Sequence, residues 1–136
     1  MARLLVNVDV EDLEKGIRFY SEGLGLRVGR RFREGGVELL GAEAPIYLLV
    51  KGDGTAPFQD APSPRDYRRH WTPVHLDFVV EELEAAIEKA VGAGARLQGP
   101  PTEHRWGRLA LLSDPFGHGF CLLQFKGRGY DEVATG

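Results

Sequence analysis

The stretch Leu5–Ile17 (LVNVDVEDLEKGI) returns as His75–Ile87 (HLDFVVEELEAAI) at a constant offset of 70, so that Val6 answers Leu76, Val8 Phe78, Val10 Val80, Leu13 Leu83 and Ile17 Ile87. A second echo follows at an offset of 74, where YLLV at Tyr47–Val50 answers CLLQ at Cys121–Gln124. A repeat of this length is a duplicated supersecondary unit, and one copy cannot cover its own apolar face. Two copies in 136 residues make one domain that shares a core.

Within each copy the periodicity changes from strand to helix and back. Leu4–Val10 alternates, with Val6, Val8 and Val10 on one face and Leu5, Asn7 and Asp9 on the other. Asp9 is placed to cap a helix carrying Leu13, Ile17 and Phe19 or Tyr20, and Gly23 and Gly25 end it. Strand patterns follow at Arg27–Arg33, Val37–Leu40 and Ile46–Lys51, with Gly35-Gly36 as a turn. The second copy gives a strand at Val74–Val80, a helix at Glu82–Val91, and strands at Ala95–Gln98, Arg108–Leu112 and Gly119–Phe125. Asp114-Pro115-Phe116-Gly117 turns the chain between the last two. The order βαβββ twice reads as α+β: module one 1–51, linker 52–73, module two 74–126 and tail 127–136. The linker carries Arg65, Tyr67, Arg68, Arg69, His70 and Trp71. It reads either as a solvated surface run or as a flap over a pocket.

Bulk properties narrow the function. A net charge of −3 and a sequence pI near 5.8 give no general attraction to nucleic acid or anionic membrane. No long apolar run signals a membrane span, and the N-terminus enters a strand pattern too early for a secretion signal. The single cysteine, Cys121, excludes an internal disulfide and agrees with a reducing compartment, so a cytoplasmic location is expected. Phosphate loops, dinucleotide fingerprints and paired-cysteine zinc patterns are missing. Gly23-Leu24-Gly25 closes a helix and does not open one.

VEDLEKGIRFYSEGLGL in the first copy, with HLDFVVEELEAAIEKAVGAGA and SDPFGHGFCLLQF in the second, resembles the vicinal oxygen chelate superfamily of glyoxalases, bleomycin-resistance proteins and extradiol dioxygenases. The resemblance covers nearly the whole chain. It implies two βαβββ modules forming a curved eight-stranded mixed sheet around a cavity, helices outside, and a homodimer. In metal-dependent members of that family each module supplies ligands from its first and last strands. Those positions fall here on Leu5 and Tyr47, then on His75 and Cys121, and only His75 is a usual ligand. No metal ligand set and no cofactor are therefore expected. A divalent metal would have to use His75, Cys121 and unusual donors such as Glu38 or Asp77.

Strand alternation assigns the ligand-facing side. Leu5, Tyr47, Leu49, Cys121 and Leu123 form apolar walls, Asn7, His75 and Asp77 give polar points, and Trp106 lies at the mouth. His75 is the candidate acid–base residue, about 6.5–7 Å from Asp77 along one strand face. Cys121 reads as packing before nucleophile. Three readings remain, and the first two are metal-free binding of a small hydrophobic or aromatic molecule and a glyoxalase-like lyase or isomerase that uses a metal or His75 alone. A structural role with a vestigial pocket is the third.

Overall fold

The computed structural model describes residues 1–33 and 35–136. Strands β1 (Val6–Val10), β2 (Arg27–Phe32), β3 (Gly36–Leu40) and β4 (Ile46–Val50) form one sheet in the order β1-β4-β3-β2. Strands β5 (Leu76–Val79), β6 (Arg96–Leu97), β7 (Thr102–His104), β8 (Gly107–Ser113) and β9 (Gly119–Phe125) form a second in the order β5-β9-β8-β6, with β7 also on β8. In both sheets the first strand lies parallel to the last. Val6 pairs with Ile46 and Asn7 with Tyr47, while Leu76 pairs with Phe120 and Asp77 with Cys121. Those matched registers are the physical content of the two sequence echoes.

The fold class is as expected, with two refinements. Among the described residues nine strands occupy the eight positions, because Gly99-Pro100-Pro101 interrupts the strand after the second helix and Pro lacks the N–H a ladder needs. The strands also pair as two separate sheets rather than one. Helix α1 (Leu13–Arg18) continues into a π-helical turn at Phe19–Gly23, and α2 spans Leu83–Gly92. The cap of α1 is Asp12, which accepts the Lys15 N–H at 3.1 Å, and not Asp9. In α2 the Gln124 side chain takes the equivalent duty, accepting the Leu83 N–H at 2.7 Å.

One core joins the modules. Val10, Val37, Leu39, Ile46 and Leu48 from the first sheet and Ala110, Leu112, Phe120 and Leu122 from the second belong to a single buried cluster with Phe19, Tyr20, Leu83 and Ala90 of the helices. Val74, read as the first residue of a strand, is 82% exposed, since β5 begins two residues later than its pattern suggested. Across the modules, Phe19 meets Phe120 edge-on at 6.1 Å, and the buried Tyr20 hydroxyl donates to Asp114 at 2.7 Å. The same carboxylate accepts the N–H groups of Phe116 and His118 and so closes the β8–β9 turn.

The linker is docked on the fold. Arg65 pairs with Asp9 at 2.8 Å, and the Tyr67 hydroxyl donates to the Lys51 carbonyl. His70 bonds through its backbone to Gly117, and its ring meets that of His118 at 2.8 Å; His118 Nε2–H donates to the Asp9 carbonyl. Two glycines make room for this strap. A Cβ on Gly117 would lie 2.6 Å from the Arg68 carbonyl oxygen at a φ of +82°, and one on Gly119 would lie 2.0 Å from the Trp71 ring. Of the two readings of this segment, a free solvated run is therefore the wrong description for Arg65, Tyr67 and His70; Arg68 alone pairs outward, with Asp66.

Replacing Tyr20 by Phe removes one of three donors from a buried carboxylate and is expected to cost about 1–3 kcal/mol in denaturant unfolding. A change below about 0.5 kcal/mol would mean that the bond does not join the modules. Gly119→Val should displace Trp71 and increase hydrogen exchange or proteolysis across residues 65–71; unaltered protection there would refute the steric account.

Candidate functional site

The sheet faces turned away from the helices bring the candidate residues into two groups. The first lies on module two. His75 precedes β5, Asp77 is within it, and Cys121 stands opposite Asp77 on β9. The His75 Nε2 to Asp77 Oδ1 distance is 3.1 Å, much less than strand spacing alone suggests, because His75 has left the strand and can turn toward its neighbour. One ligand atom from each of His75, Asp77 and Cys121 falls within 4.8 Å of the others. Trp71 covers the His75 ring at 4.6 Å. Cys121 is only 2% exposed, and burial, then the adjacent Asp77 carboxylate, pushes its thiol up to about 12. Such a thiol is a poor nucleophile at neutral pH.

The second group lies on module one, and sequence reading found only part of it. Glu38 of β3 is buried, yet ionised: Arg30 donates to it through Nε at 3.1 Å and Nη2 at 2.7 Å, and the Tyr47 hydroxyl donates at 3.0 Å. Arg30 hydrogen bonds, from side chain and backbone, hold the Glu38 carboxyl down to about 2, against its burial. The guanidinium is raised above its already high ordinary value by the same contacts. Gly29 permits this approach, since a Cβ there would stand 2.6 Å from Glu38 Oε1. A glycine inside an otherwise good strand, RVGRRF, was the available signal. The ladder shifts register between Val28 and Arg31 at the same place.

Other candidates are dispersed. Leu5 is 48% exposed and Leu49 half-buried, whereas Leu123 is as deeply buried as Cys121. Trp106 stacks on His104 at 4.8 Å and packs against Phe125 and Tyr130, at the far end of β9 from Cys121. Cavities open in the seam where the β1 and β5 edges face each other. One of about 380 Å³ is lined by Asn7, Asp9, His70, His75 and His118 among others. Another of about 610 Å³ is largely apolar, with Leu4, Val6, Leu26, Phe78 and Leu122, and includes Asp77. Leu5, Tyr47, Leu49, Trp106, Cys121 and Leu123 line neither.

For a divalent metal, the His75–Asp77–Cys121 group fits in number and donor type: three protein ligands can leave a coordination position open. A bound ion would lower the thiol pKa and supply Lewis-acid polarisation of a substrate oxygen. All three donors come from module two. In module one Leu5 has no donor, and Tyr47 is committed to Glu38 and Arg30.

Residues 5–123 match the sequence profile described as a glyoxalase-like domain, and the chain belongs to that family, within the superfamily its sequence resembles. Among individual relatives, the anthracycline biosynthesis protein DnrV of Streptomyces peucetius is 33% identical over 69 residues, which are 51% of this chain and 24% of that protein. The chain thus matches about a quarter of that relative's length. The fosfomycin resistance protein FosX of Listeria monocytogenes superposes with a TM-score of 0.73 at 16% identity, covering 98% of each chain. TnmS3, an antibiotic binding protein from Streptomyces sp. CB03234, gives 0.65 at 24% identity over 93% of this chain and 97% of its own. Among the described residues no helix is long and apolar enough to cross a membrane.

The Glu38 shift has a pH signature. Its folded carboxyl titrates near 2 against an ordinary 4.5, so its stabilising effect is complete above about pH 4.5 and is lost as pH falls through about 2. Glu38→Gln should therefore flatten the fall in stability across that window, measured by urea unfolding at stepped pH. An unchanged slope would show that Glu38 is not held by Arg30.

Proposed function

We propose that this protein binds a small hydrophobic or aromatic molecule against the helix-free faces of its sheets. The observation that carries this reading is the exposure of apolar side chains there, with Leu5 48%, Phe32 42% and Val79 60% exposed, beside only a few polar groups. Such surface is costly to leave in water, and apolar walls with sparse polar points are how small-molecule sites are built. Trp71 and Tyr47 supply planar contacts, while His75, Asp77 and Asn7 orient polar substituents of the ligand. Homodimerisation would cover the remainder of these faces. A cytoplasmic location accords with the unpaired Cys121.

The names of two relatives, an anthracycline biosynthesis protein and an antibiotic binding protein, make a planar polycyclic antibiotic a sensible first probe. Daunorubicin should quench the tryptophan fluorescence saturably, and Val79→Asp should weaken binding about tenfold or more, the loss set by about 1.4 kcal/mol of apolar contact. Equal affinity in the variant would refute this placement of the ligand.

A second reading, a glyoxalase-like lyase or isomerase, is favoured by the convergence of His75, Asp77 and Cys121. Elemental mass spectrometry of gently purified protein tests it. Near-stoichiometric zinc, nickel, iron or manganese that is lost in His75→Asn would support the enzyme, and a metal content independent of His75 would exclude this set.

A further inference from the structure

Outside the two groups above, the structure gathers positive charge from separate parts of the chain. A cleft of about 430 Å³ is lined by Lys15 and Arg18 of α1, Arg69 of the linker, Arg96 of β6, and the Ser113–Gly117 turn. Lys15, Arg18 and Arg96 have no carboxylate within 4.0 Å among the described residues. Among the described residues Arg69 donates only to the His70 carbonyl and the Gln98 side chain. The remaining charge on the lining is Asp114, which is 3% exposed and already accepts from Tyr20, Phe116 and His118.

Arg30, Arg31, Arg65, Arg68, Arg108, Arg128 and Lys126 are each beside a carboxylate, in a chain whose net charge is −3. Among the described residues Arg3, Arg27, Arg33, Lys51, Lys89 and Arg105 are not, so what distinguishes this cleft is that four cations line a single cavity. Like charges sharing one cleft lie within about a Debye length of each other and repel. A multivalent anion reverses the sign of that term, and two guanidinium groups offer the forked donors that suit phosphoryl oxygens.

We infer that the cleft between α1, β6 and the β8–β9 turn binds a small anion bearing a diphosphate group. The charge count supports two phosphoryl groups: one phosphate monoester carries about 1.5–2 negative charges, too few to balance three uncommitted cations and Arg69. Tyr67 and Arg69 of the docked linker form one wall, so occupancy also braces the strap that reaches Trp71 and His75.

Calorimetric titration of the full chain with inorganic diphosphate, at ionic strength held constant with sodium chloride, tests this. One saturable site per chain is expected, weakened about tenfold or more in Arg18→Gln/Arg96→Gln, a loss of about 1.4 kcal/mol. The charge-matched control Arg3→Gln/Arg33→Gln should bind as the parent does, and circular dichroism should show all three proteins equally folded. A parallel titration with adenosine diphosphate identifies the source: tighter binding points to a diphosphate ester, equal binding to the free anion, and both outcomes support the site. Absence of saturable binding to the parent, or equal weakening in the control, would overturn the proposal.

Discussion

The hydrogen bond from Tyr20 to Asp114 ties together most of what this fold has to hold. Tyr20 belongs to module one and Asp114 to module two, and both are almost fully removed from water. A buried carboxylate is costly unless its lone pairs are used. Here they are used by a phenol from the other module and two N–H groups of the same turn. Burial and the neighbouring carboxylate raise the Tyr20 pKa well above its ordinary value, so the phenol remains the donor. The turn this carboxylate closes carries His118, which in turn meets His70 of the linker and the backbone of Asp9 in β1. Module contact, turn geometry and linker docking thus share one polar centre.

The two sheet faces obey different rules. Beneath the helices, packing is apolar and continuous from one module to the other. On the opposite faces each module has its own polar group: Arg30–Glu38–Tyr47 in the first, His75–Asp77–Cys121 in the second. The pair of strand positions that the superfamily uses for ligands is therefore split in character. In module one it is a hydrocarbon and a phenol held in an ion-pair network. In module two it is an imidazole and a buried thiol joined by an additional carboxylate. Duplication preserved the backbone register, while the chemistry at equivalent positions diverged.

That divergence also explains how the site could be only partly read in advance. Period-two alternation separated Cys121 and Leu123 from Phe120 and Leu122, and Asn7 and Asp9 from Val8 and Val10, because strand geometry leaves no other choice. It could not place Trp106, whose ring goes to the aromatic cluster with Phe125 and Tyr130 that anchors the tail. Nor could it find Arg30, a residue two strands away from Tyr47 whose approach depends on Gly29 and a local register shift.

What the sequence determined by itself is the duplicated βαβββ order and the alternating sets on β1, β4 and β9. These follow from local periodicity and from a repeat whose two offsets, 70 and 74, encode the same parallel pairing twice. Only the tertiary structure decided that the linker is strapped to the sheet edges by Arg65, Tyr67 and His70. It alone also showed that His75 turns to meet Asp77 at 3.1 Å, and that four cations share one cleft. The linker contacts and the cleft join residues far apart in the chain, while the His75–Asp77 distance depends on where β5 begins, and no local pattern records either.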